Sequence, residues 1–174
     1  MITAPTQLLV LVAPWQRLYA DSRMVETAVT FLHLAALLFG GGLAIAADRR
    51  TLRLDPDRGQ LPLLLRELGG VHRPVVIALG VLLLSGLAMA AADLETFLGS
   101  PIFAVKLLLV ALLVANGGLL LRTERALTSL VDAEAGPLAP PARRLWRRLR
   151  LTSRVSQALW VGSVLVGTIL VNAA

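Results

Sequence analysis

The chain has 174 residues, 56% of them hydrophobic and 16% charged, and a mean hydropathy of +0.74. A soluble domain of this length has no interior large enough to hide that apolar surface, whereas lipid has, and a composition of Leu, Ala, Val and Gly with few aromatics suits helices rather than a barrel. The lack of cysteine excludes thiolate metal sites, iron–sulfur clusters, thioether-attached haem and disulfides; the net charge of +6, with no recognisable nucleic-acid-binding fold beside it, points to basic loops against anionic lipid headgroups and away from nucleic acid.

In chain order, residues 4–20 hold an apolar stretch too short to span a bilayer, broken by Pro14 and followed by the interface-seeking Trp15 and Tyr19. A short interfacial helix is expected there, with Asp21 or Ser22 capping the helix that follows. The first span is expected at about 24–47, ended by Asp48-Arg49-Arg50. Residues 60–68 should form one or two interfacial turns stopped by Gly69-Gly70. The second span follows at about 74–92, with Pro74 in its first turn, then an acidic turn, Asp93 to Ser100. The third is expected at about 101–121 and the last at about 155–172. Between these two, residues 123–135 read as a helical extension closed by Gly136, and Arg143, Arg144, Trp146, Arg147 and Arg148 as a basic amphipathic helix on lipid headgroups.

The expected fold is therefore all-α: one membrane domain, an antiparallel four-helix bundle with an N-terminal interfacial helix. The two long connections carry six and eight arginines, and the other side only Arg17 and Arg23, with Lys106 just inside the third span. The positive-inside rule puts the long connections in the cytoplasm and both termini outside.

The chemistry centres on His33, an ionisable residue about eight residues into the first span. Helical spacing places Glu26, His33, Gly40 and Ala44 along one small, polar face, and lipid offers an imidazole no partner, so His33 faces protein. It reads as an axial ligand to b-type haem, a copper ligand, a proton-relay or quinone contact, or a structural histidine bonded to a neighbouring helix through Ser85, Thr168 or a carbonyl. The other histidine, His72, lies at the cytoplasmic start of the second span, more than about 15 Å away in depth, so both cannot bind one iron. For copper, Met89 and Met24 share the outer half with His33, although methionines are also ordinary packing residues. Glu26, Asp93 and Glu95 are positioned to form ion pairs with Lys106, and Asn116 to bond across helices. Ala36, Gly40 and Ala44 on the first span, and Ser85 and Gly86 on the second, are expected at close helix contacts.

Phe31-Leu-His-Leu-Ala-Ala-Leu-Leu-Phe-Gly-Gly-Gly-Leu resembles the first helix of the copper-resistance D membrane domain. Leu84-Ser-Gly-Leu, with Leu98-Gly-Ser-Pro-Ile-Phe-Ala-Val-Lys, resembles a later segment of that domain. The chain is also similar to small bacterial membrane proteins that share the first-helix histidine. The resemblance covers residues 24–121 and implies a cytochrome-b-like four-helix bundle in the bacterial inner membrane, with His33 and Lys106 at matching positions. This chain has fewer histidines and methionines than a dedicated copper handler. Three functions are expected in decreasing order: a non-catalytic accessory subunit of a larger membrane complex, such as an electron-transfer complex, joined to other subunits or to its own copies; a haem- or copper-binding redox protein using His33; and a small transporter, for which Gly40-Gly41-Gly42 is the only candidate break in a span.

Overall fold

The structure, a computed structural model, describes residues 6–56, 59–133 and 138–173, and those residues are nearly all helical, with no strand among them. The order is α1 (Thr6–Asp21), α2 (Arg23–Ala36), a π-helical segment (Leu37–Gly41), α3 (Gly42–Arg53), α4 (Leu61–Ala92), α5 (Leu94–Gly99), α6 (Pro101–Ala133) and α7 (Pro140–Ala173). Residues 23–53 run as one rod through the π segment. That rod, α4, α6 and α7 are the four helices long and apolar enough to cross a membrane. The expected helix start at residue 4, Arg58 and the Gly136 stop lie outside the described residues.

Local signals explain most of the helix boundaries. The Ser22 hydroxyl accepts from the Val25 amide at 3.4 Å and opens α2. Asp93 accepts from the Thr96 amide to open α5, and Ser100 from the Phe103 amide to open α6, with Pro101 as its first residue. Gly59, at φ 71°, turns the chain between α3 and α4, a conformation that a side chain would strain.

The helices run well past the expected spans at one end, called here the arginine-rich end because both long connections lie there. Neither Gly69-Gly70 nor Pro74 interrupts α4, and Pro14 does not break α1. Tertiary packing overrides these local breakers. Leu61, Leu64, Leu65 and Leu68 form a stripe on α4 that packs with Leu127 of α6 and with Ala142, Trp146 and Leu149 of α7. That burial outweighs the roughly 1 kcal/mol helix cost of a glycine. The basic helix expected on the membrane surface is the first part of α7. Trp146 is only 4% exposed and faces this core, so it is not available to lipid headgroups. Arg143, Arg144, Arg147 and Arg148 are exposed on the other sides of the helix.

A second, smaller cluster sits mid-helix, formed by Ala36, Leu82, Leu113 and Trp160. The glycines of the first rod set its spacing to its neighbours. A Cβ on Gly40 would stand 2.6 Å from the Ala78 Cβ, and one on Gly41 3.2 Å from the Trp160 ring. The helices therefore meet where side chains are missing. The packing changes along the rod: α2 lies against α4, whereas α3 lies against α7 as well. The π segment between them holds one extra residue in its turn, which re-aims the face beyond it.

Candidate functional site

His33 sits on α2, half-buried, facing α4. Its Nδ1 is 3.0 Å from the Ser85 hydroxyl oxygen. That hydroxyl has one proton, and it is directed to the Val81 carbonyl at 2.7 Å, with the Leu82 carbonyl at 3.2 Å. Ser85 therefore accepts, and His33 Nδ1 donates. A neutral His33 then carries its lone pair on Nε2, and the Leu82 carbonyl also lies against the ring. Gly86 makes room for the ring, since a Cβ there would lie 3.1 Å from Cε1.

Across the molecule, Lys106 of α6 donates to the Ser163 carbonyl of α7 at 2.6 Å. It also occupies the space where a Gly167 side chain would start, 2.7 Å from its Nζ. Lys106 is close enough to His33 to act on it electrostatically. It does not pair with Glu26, Asp93 or Glu95, all of which are exposed. The expected acidic cluster around Lys106 is thus replaced by a bond to a helix carbonyl, a partner that needs no second charge in an apolar setting.

The remaining expected residues are placed as follows. Ala36 is buried in the mid-helix cluster, Gly40 touches Ala78, and Ala44 packs beside the same cluster. Met89 follows Ala88, whose carbonyl accepts from Trp15 Nε1 at 2.8 Å, and this bond holds α1 against α4. Asn116 Nδ2 donates to the Thr152 carbonyl at 3.0 Å and ties α6 to α7.

A copper ion fits this site poorly. Among the described residues the site offers copper one imidazole, His33, the Lys106 charge opposes a second cation, and no group of three or more His, Cys, Asp or Glu able to hold a metal forms. Haem would be held through His33 Nε2, the ring nitrogen that the Ser85 bond leaves unused, although neither of the two clefts described below includes His33.

Two polar groupings escaped the sequence reading. Asp48 is buried between α3 and α7 facing the Ser153 and Ser156 hydroxyls, with its Oδ2 unpartnered. Its only sequence signal was an acid standing just before Arg49-Arg50. Toward the arginine-rich end, His72 Nδ1 lies 3.3 Å from Glu124 Oε2, and Glu124 is 4% exposed. Here the signal was an acid embedded in the Arg122-Thr-Glu-Arg run, on the expected helical extension of the third span. Beside this pair a cleft of about 900 Å³ opens between α4 and α6. A second cleft, about 320 Å³, lies along Gly42 to Arg53, and neither includes His33.

Compared with known proteins, the chain matches no family model, no curated protein and no solved structure.

Proposed function

We propose that this chain is a multi-pass protein of the bacterial inner membrane, an antiparallel bundle of four transmembrane helices that serves as a non-catalytic accessory subunit of a larger membrane complex. The arginine-rich end faces the cytoplasm and both termini lie outside. The observation that carries this reading is the open glycine face of α6. A Cβ on Gly117 or Gly118 would meet nothing within 4 Å, and the same holds for Gly80 on α4. In lipid, faces without side chains gain by letting another helix approach closely. Three polar side chains of the spans, by contrast, are engaged within the chain as cross-links: His33 to Ser85, Lys106 to Ser163 and Asn116 to Thr152.

Purification in mild detergent from native membranes tests the role. A partner should be retained, and Gly117→Leu with Gly118→Leu should release it while the bundle itself stays folded. A chain that runs as a lone monomer, with or without those substitutions, contradicts the accessory role.

A second reading, haem binding through His33, is favoured by the ring nitrogen that the Ser85 bond leaves unused. It predicts a reduced-minus-oxidised b-type spectrum that His33→Ala abolishes. A colourless preparation with its partner bound excludes it.

A further inference from the structure

We infer that the cleft between α4 and α6 at the arginine-rich end is a binding site for a phospholipid whose headgroup carries a primary ammonium. The inference rests on the membrane reading above.

Depth comes first. At about 1.5 Å per residue, the 32 residues of α4 reach about 48 Å, whereas the hydrocarbon core is about 30 Å thick. Counted from Ala92 at the opposite end, the hydrocarbon boundary falls near Arg73. Counted from Pro101, it falls near Leu121 on α6. The cleft straddles that boundary. Val76, Ile77 and Leu121 line its apolar part, with Val76 60% and Ile77 59% exposed, open sideways to acyl chains. His72, Arg73, Glu124 and Arg125 line the part at headgroup depth, and Asp132 lines it two turns further along α6.

The charges at that depth suit a headgroup bearing both signs. Arg73 and Arg125 are exposed and make no ion pair among the described residues, which leaves their guanidinium groups open to a phosphate. Glu124 is buried, and its Oε2 makes no hydrogen bond even though His72 Nδ1 is 3.3 Å away. That ring nitrogen also lies 3.4 Å from the Leu68 carbonyl. Burial pushes the Glu124 carboxyl up to about 7, only partly offset by the nearby Arg125 charge, and a cation donating to it would hold it ionised. The approach to it is over Gly69, where a Cβ would lie 3.8 Å from Glu124 Oε1 with no side chain in the way. An ammonium entering over Gly69 donates to Glu124 while the adjoining phosphate meets the arginines. A choline headgroup has no N–H to donate, and a glycerol headgroup has no cation.

Native mass spectrometry of the delipidated protein in detergent tests the site, using phosphatidylethanolamine, phosphatidylcholine and phosphatidylglycerol, with free phosphoethanolamine and inorganic phosphate as headgroup controls. Phosphatidylethanolamine should bind about tenfold more tightly than the other two lipids, the effect of one hydrogen bond to a charged group. Glu124→Gln should erase that preference. Arg73→Gln should weaken all three lipids alike, and Gly69→Leu should exclude them. Equal binding of the three lipids, a preference for phosphatidylglycerol, or a preference that survives both Glu124→Gln and Gly69→Leu overturns the proposal. Free phosphoethanolamine binding as tightly as the lipid overturns the lipid assignment. A chain that stays in solution without detergent refutes the membrane reading itself, whereas a detergent-requiring chain with no lipid preference refutes this site alone.

Discussion

At the arginine-rich end, Leu127 and Leu149 are completely buried and Trp146 nearly so, among four leucines of α4. At the other end the same long helices expose Phe31, Leu34, Leu84 and Leu165 by more than half, and are joined by single bonds such as His33 to Ser85 and Lys106 to Ser163. The physical setting explains the contrast. Residues 61–68, 127 and 142–149 lie beyond the hydrocarbon on the membrane reading, where burial removes apolar surface from water and each leucine contributes about 1.5–3 kcal/mol. Within lipid that drive is absent, and helices associate through close packing and a few polar contacts. On that reading, most of the aqueous-type core stands outside the bilayer, on extensions of the four apolar helices.

The contrast sets an order of mutational effects. Leu127→Ala or Leu149→Ala should cost about 2–5 kcal/mol of unfolding free energy in mixed micelles, because each opens a cavity in a closed core. A loss under 1 kcal/mol at both positions would mean that the extensions do not hold the fold. Gly40→Leu should cost about 1–3 kcal/mol by overpacking against Ala78, where a Cβ already has only 2.6 Å. Thermal unfolding should show that loss without any loss of helix content. Asn116→Ala and His33→Ala should cost least, about 0.6 kcal/mol each, the average for an interhelical hydrogen bond in lipid. If either cost more than the leucines, stability would reside in the spans after all.

Composition and arginine distribution made the four long apolar helices legible, since no soluble core could absorb so much leucine and alanine. The partner of each amphipathic face was not legible. Leu145, Trp146 and Leu149 on a basic helix suit a lipid surface and another helix equally well. Only the matching stripe at Leu61, Leu64, Leu65 and Leu68, far away in sequence, decides between them. Gly69-Gly70 suggested a helix stop and Pro74 the first turn of a new helix, because local propensity says nothing about the packing that joins the two segments. At the site, His33 and its need for a protein partner could be read, and Ser85 was one of three candidate acceptors. The direction of the His33–Ser85 bond could not, because it depends on Ser85 already donating to Val81. The π segment at Leu37–Gly41 also had no signal beyond three adjacent glycines.

Amide hydrogen exchange in nanodiscs addresses most directly whether a core stands outside the bilayer. Residues 61–68 and 142–149 should exchange as slowly as the lipid-embedded 103–121, because they lie in continuous helices with their apolar faces closed against one another. Exchange in those two segments at the rate of exposed surface helices, with 103–121 still protected, would contradict it.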